Sequence, residues 1–182
     1  LIGLAIEQLW AEVKGIDLAP EATFWVGKER GRRGDVHITD TQIVEMKGVG
    51  FGVKNLGGRF GVAYYKNDDQ PQKPGHRINF EWLNLPANQD AALNVFATLT
   101  KGDFQGGTTG AGLSLRHDQK KLFGTGLSNT LWLQYAQGSA AVNSNFGDLT
   151  AGSQAKGWRL VNALNGQSGA VGGQLHLLLA KE

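Results

Sequence analysis

The densest run of chemically capable side chains is Phe24-Trp25-Val26-Gly27-Lys28-Glu29-Arg30-Gly31-Arg32-Arg33-Gly34-Asp35-Val36-His37-Ile38-Thr39-Asp40. Arg and Lys only donate hydrogen bonds, and ionised Asp and Glu only accept them. Interleaved as they are here, they can surround a ligand rich in hydroxyls and replace its lost water. They can also pair among themselves in a solvated surface loop, the commoner use of such a composition. The spacing predicts a strand ending near Lys28 and a charged, Gly-punctuated loop over about residues 29–40. In a barrel, that loop would fold inward and set Arg against Asp across the lumen.

Other chemistry finds little support. His37, His76, His117 and His176 are far apart, with none of the short spacings of a zinc site. The chain has no Cys, which removes disulfides, thiolate metal ligands and a thiol nucleophile. No Gly-x-Ser-x-Gly elbow occurs. Gly106-Gly107-Thr108-Thr109-Gly110 lacks the Lys of a phosphate loop and is expected to be a hairpin turn. Glu81 and Asp90 are not singled out as a glycosidase pair. Arg116-His117-Asp118 is expected to be a strand end entering a polar turn. No catalytic residue, metal or cofactor is assigned, and an enzyme is not expected. The net charge of +2 is spread along the chain without a Lys/Arg block, so a nucleic-acid partner is not expected either.

The elements that would position the charged run are strands. Gly is abundant, at 27 of 182 residues, and interrupts almost every window of helical periodicity. Strand-like runs of about 8 to 12 residues are separated by Gly/Asn/Asp/Ser clusters, the rhythm of a β-meander. Strands are expected at 2–13, 21–29, 40–47, 49–54, 58–66, 76–85, 91–102, 108–118, 129–138, 156–165 and 170–180. Alternation is clear in two places. Phe60, Val62 and Tyr64 oppose Gly61, Ala63 and Tyr65; His76, Ile78, Phe80 and Trp82 oppose Arg77, Asn79 and Glu81. Trp132 shares a face with Thr130 and Gln134, and Trp158 with Leu160 and Asn162.

Alternation is compatible with two all-β architectures. A soluble carbohydrate-binding domain hides its apolar face, whereas a wide membrane barrel turns it to lipid and keeps a wet lumen. No apolar stretch is long enough for a membrane helix, which leaves a barrel open. Strands of about 9–11 residues suit a tilted bilayer crossing. Aromatics near strand ends and alternating short and long connections suit one too.

The stretch at 25–40 resembles the maltoporin family of sugar porins, whose motif reads approximately Trp-x-Gly-Lys, a few residues, then Arg-x-Asp-Val-His-x-x-Asp. Trp25, Gly27, Lys28, Arg33, Asp35, Val36, His37 and Asp40 stand in the matching places. Weaker similarity continues at Gly48–Leu56, Leu133–Ala136 and Gly157–Leu160. The resemblance implies an antiparallel transmembrane β-barrel, with residues 1–182 as a single segment of an 18-stranded one. It implies a homotrimer in the outer membrane of a Gram-negative bacterium, in contact with outer-membrane lipid and passing sugar solutes. Arg33, Asp35, His37, Asp40 and Gln42 would line its constriction, and Trp25, Trp132 and Trp158 are candidate aromatic sugar contacts. Two positions depart from the family pattern: Gln42 stands where an aromatic residue crowds the constriction, and Leu127 falls near a position of the aromatic track. These favour a general carbohydrate or polar-solute channel over one selective for malto-oligosaccharides. Fewer than a dozen strands fit in 182 residues, and both ends look cut from something longer.

Overall fold

A computed structural model describes residues 8–36, 41–66, 75–104, 107–140, 156–168 and 171–181. They form ten strands: β1 Leu9–Ile16, β2 Ala19–Val36, β3 Thr41–Leu56, β4 Phe60–Lys66, β5 Gly75–Asn88, β6 Ala91–Phe104, β7 Gly107–Gln119, β8 Ser128–Gly138, β9 Lys156–Ser168 and β10 Val171–Lys181. Each pairs antiparallel with the next, in a single sheet whose spatial order is the chain order.

Most expected strands fall within a few residues of an observed one; residues 2–7 of the first lie outside the described residues, and the other differences cluster around the charged run. β2 does not stop near Lys28 but continues to Val36, and the expected pieces 40–47 and 49–54 are one strand, β3. Pairing holds the two together throughout, from Thr23↔Lys54 to Val36↔Thr41. Eleven expected strands thus become ten. Gly48, whose φ of 145° disfavours other residues, is absorbed into the ladder opposite Glu29. Arg116 and Asp118 stand at the end of β7 as expected, paired with Trp132 and Thr130. The connection follows at once from Lys120 and Lys121 and contains a single 3₁₀ turn at Leu122–Gly124. Asn84 sits at a bulge within β5, at φ 55°, where its backbone N–H donates to Asn94 Oδ1 at 2.8 Å.

Because consecutive strands pair, alternate connections lie at opposite ends of the sheet. Residues 17–18, 57–59, 89–90, 120–127 and 169–170 connect strands at one end. Residues 37–40, 67–74, 105–106 and 139–155 do so at the other, which therefore carries the longest link.

The two faces are inverted relative to a water-soluble protein. One face carries Val26, Phe51, Ile78, Leu99, Leu113 and Leu133, all between 39% and 60% exposed. The other carries Glu29, Arg77, Asn79, Glu81, Thr98, Ser114, Gln134 and Arg159, all 8% exposed or less. We call these the outer and inner faces. Fully burying an apolar side chain of this size is worth about 1.5–3 kcal/mol, so leaving six of them half exposed forgoes on the order of 5–9 kcal/mol. That is comparable with the whole net stability of an ordinary domain, about 5–15 kcal/mol. Such a surface is stable only where its solvent is itself apolar.

Candidate functional site: the inner face

Two clusters of aromatic and charged side chains stand on the inner face. The first spans β1 to β5. Trp25 packs on Tyr65 with ring centroids 5.3 Å apart, and Lys54 Nζ lies 5.5 Å from the indole centre. Lys54 forms an ion pair with Glu29 and another, at 3.4 Å, with Glu12, which also meets Lys14 at 3.3 Å. Tyr65 Oη donates to Glu29 Oε2 at 3.5 Å.

Glycine makes room for this arrangement. Trp25 pairs with Gly52 across the β2–β3 ladder, and a Cβ on Gly52 would come within 2.7 Å of the indole nitrogen and 2.9 Å of Ala63 Cα. At Gly50 a Cβ would collide with the Tyr64 carbonyl. The indole therefore lies across a strip of bare backbone, and a recess opens beside it, lined by Lys54, Ala63, Tyr65, Asn79 and Glu81.

The second cluster spans β6 to β9. Trp132 is fully buried and stacks on Phe96 with centroids 5.4 Å apart and planes 11° from parallel. Arg116 Cζ sits 5.4 Å from the Trp132 ring, held there by a bond from its Nε to Asp118 Oδ1 at 2.8 Å. Asp118 also accepts from Thr130 Oγ1 at 2.8 Å and from Asn94 Nδ2 at 2.9 Å. One row along, Arg159 Nε donates to Gln134 Oε1 at 3.0 Å. The indole nitrogens of Trp25 and Trp132 are both buried, with no acceptor in reach among the described residues. Each cluster thus sets a cation and a carboxylate on a buried aromatic ring, and the charged groups are suited to the hydroxyls of a sugar.

The residues expected from sequence are placed unequally. Trp25 and Trp132 stand on the inner face, one in each cluster. Trp158 does not join them. It is 41% exposed, paired with outward-facing Tyr135, while its neighbours Gly157 and Arg159 are buried on the inner side. Alternation along β9 therefore sends Trp158 to the outer face, where no solute in a lumen would meet it. Arg33 pairs with Val44, and Asp35 pairs with Gln42, near the end of the β2–β3 hairpin. His37 and Asp40 lie outside the described residues. Glu81 and Asp90 are not neighbours, since Glu81 faces inward from mid-β5 and Asp90 lies in the turn after it. Leu127 lies in the β7–β8 connection, 37% exposed.

Sequence reasoning missed Glu29, Lys54, Tyr65, Phe96, Arg116, Asp118, Gln134 and Arg159 as inner-face residues. The signal was available for most: once Trp132 is taken as inward, the two-residue period brings in Gln134 on its strand, and register brings in Arg116 and Arg159.

Comparison with known proteins gives consistent relatives. Residues 3–181 match the LamB porin family. Maltoporin 1 of Aeromonas salmonicida is 30% identical over 161 residues, covering 76% of this chain and 37% of the relative. A maltoporin of Vibrio cholerae is 24% identical over 195 residues, covering 97% and 47% respectively. A maltoporin of Hahella chejuensis is 27% identical over 175 residues, covering 87% and 42%. The chain spans less than half the length of these curated relatives.

Proposed function

The chain belongs to the LamB porin family, and on that premise we propose that it supplies a stretch of wall to a passive outer-membrane channel through which sugars diffuse. The observation that carries this reading is the inversion of the two faces, with Phe51, Leu99 and Leu133 outward and Glu81, Gln134 and Arg159 inward. An apolar exterior with a polar interior is the signature of a barrel with a wet lumen in lipid. A soluble carbohydrate-binding domain would need the opposite assignment.

In this proposal the hairpin of β2 and β3 narrows the lumen. The two-residue period that carries Trp25 and Glu29 runs on in sequence to Arg33 and Asp35. Together with His37, Asp40 and Gln42 these residues form the constriction. Arg33 donates to sugar hydroxyls, while Asp35 and Asp40 accept from them. Their carboxylates act as hydrogen-bond acceptors rather than as acids, and no bond is made or broken. Passage requires that this binding stay weak and shared among several stations. Lys54, held on Trp25, and Arg116, held on Trp132, provide two such stations along the wall. The rings are buried beneath them, and the cations, with side chains 27% and 31% exposed, donate to the sugar. Solutes of the kind the relatives' name implies, maltodextrins, fit this chemistry; with Gln42 in place of an aromatic, other sugars pass as well. A Gram-negative outer membrane, contact with its lipid and homotrimeric assembly belong to the same proposal, supported by the family.

The test is single-channel conductance of the full chain in a planar bilayer, titrated with maltohexaose and then sucrose. Stepwise openings blocked by a sugar at millimolar concentration are expected, with Arg33→Ala and Asp40→Ala weakening the block. Openings indifferent to every sugar would remove the carbohydrate assignment and leave a general porin. No openings at all would count against the channel.

A further inference from the structure

The outer face is not uniformly apolar. At the end carrying connections 37–40, 67–74 and 139–155, register threads one level of side chains across five strands. Lys28 pairs with Val49, Val49 with Lys66, Lys66 with His76, and His76 with Lys101. On β9, Lys156 begins the strand at the same end; through Gln137 and Ala111 register sets it in line with Leu99, one level below Lys101, a step its long stem spans. These side chains point outward. Their chain neighbours Glu29, Tyr65, Arg77, Thr100 and Gly157 are buried on the inner face, while Lys66, Lys101 and Lys156 are exposed.

The level directly beneath is apolar and equally regular: Val26 pairs with Phe51, Phe51 with Tyr64, Tyr64 with Ile78, and Ile78 with Leu99. Tyr64 Oη lies 2.6 Å from His76 Nδ1 and ties the two levels together. Among the strand carboxylates whose side chains are described, Glu12, Glu29, Glu81 and Asp118 sit on the inner face, away from this band. At the opposite end, the outer face of β4 and β5 finishes in the pair Phe60 and Trp82, with the single cation Arg59 beside them in the β3–β4 connection.

We propose that Lys66, Lys101 and Lys156 form a docking band for the phosphate-bearing headgroups of anionic lipid in the leaflet at the long-connection rim. A soluble anion would have no use for the apolar level below. A lipid has both parts in the observed vertical order, acyl chains against Phe51, Tyr64, Ile78 and Leu99, and its phosphate against the lysines. Neighbouring strands lie about 4.8 Å apart, so Lys66 and Lys101, two strands apart, are spaced by about 10 Å of backbone, within reach of one headgroup or two adjacent ones. Long stems let each lysine keep its ammonium at headgroup depth while its methylenes cover the apolar level. The asymmetry of the band sets the leaflet: the rim with the longer connections is the external one in an outer-membrane barrel.

The proposal rests on the membrane-barrel reading, and its test separates the two. Spin-labelled phosphatidic acid and phosphatidylcholine with identical chains are compared as boundary lipids of the full chain in phosphatidylcholine bilayers. The band predicts a preference for the anionic lipid of about three- to tenfold at low salt. That preference should fall toward unity in K66Q/K101Q/K156Q and in molar salt, and persist in K66R/K101R/K156R. Unchanged conductance would show that the glutamine variant is folded. An immobilised lipid shell without charge preference, or a preference that survives the three glutamines, would overturn the band and leave the barrel standing. The absence of any immobilised shell would overturn both.

Discussion

Strand β8 and its neighbours show the same backbone solving two problems on its two sides. Leu131, Leu133 and Tyr135 stand outward at 39% to 49% exposure, while Trp132, Gln134 and Ala136, one residue along in each case, are essentially inaccessible. The outward side chains make a plain apolar surface. The inward ones are joined to Arg159, Arg116 and, through it, Asp118 by specific hydrogen bonds and ring contacts. Burial is therefore a poor guide to polarity in this chain. What the comparison teaches is that the sheet is ordered by two solvents, with lipid demanding only apolarity and the lumen demanding paired polar groups.

The largest expected effect comes from reversing polarity on the outer side. Leu133→Arg should destabilise the barrel by about 2–4 kcal/mol at mid-membrane depth, read from urea unfolding in lipid vesicles. In a soluble fold the same exposed site would tolerate Arg with almost no change. On the inner side the complementary reversal, Gln134→Leu, removes the acceptor used by Arg159 and should cost about 1–3 kcal/mol in the same assay. Equal tolerance of both substitutions would erase the distinction between the faces.

A geometric substitution sharpens the inner side further. Gly52→Val would force the Trp25 indole off its strip of backbone, at about 1–3 kcal/mol, with a change in tryptophan emission. The smallest effect separates two tryptophans that look alike in sequence. Trp132→Ala should weaken sugar block of the channel by about two- to tenfold, because it removes the buried ring that holds Arg116 in place. Trp158→Ala should leave block unchanged, because its ring faces outward.

Much of this was legible in the sequence. Glycine-bounded runs with a two-residue period gave the strands from β4 onward nearly to their ends, and the motif from Trp25 to Asp40 pointed to the family. Two things were hidden. Charge and glycine at Lys28–Asp35 looked like a loop, yet pairing with β3 carries the strand through to Val36, because cross-strand hydrogen bonds do not depend on side-chain polarity. Which face is wet could not be read from alternation at all, since a sandwich and a barrel share the same period. For that reason Trp158 was grouped with Trp25 and Trp132 until register separated them.

The claim that the apolar face meets lipid is tested most directly on β8, and the absence of native cysteine makes the strand easy to label. Nitroxides placed singly at Leu131, Leu133 and Tyr135 of the full chain in bilayers report collision with oxygen, which concentrates in lipid, and with a water-soluble nickel chelate. High oxygen and low nickel accessibility at all three positions is the predicted result. High nickel accessibility there would put the face in water and contradict the account.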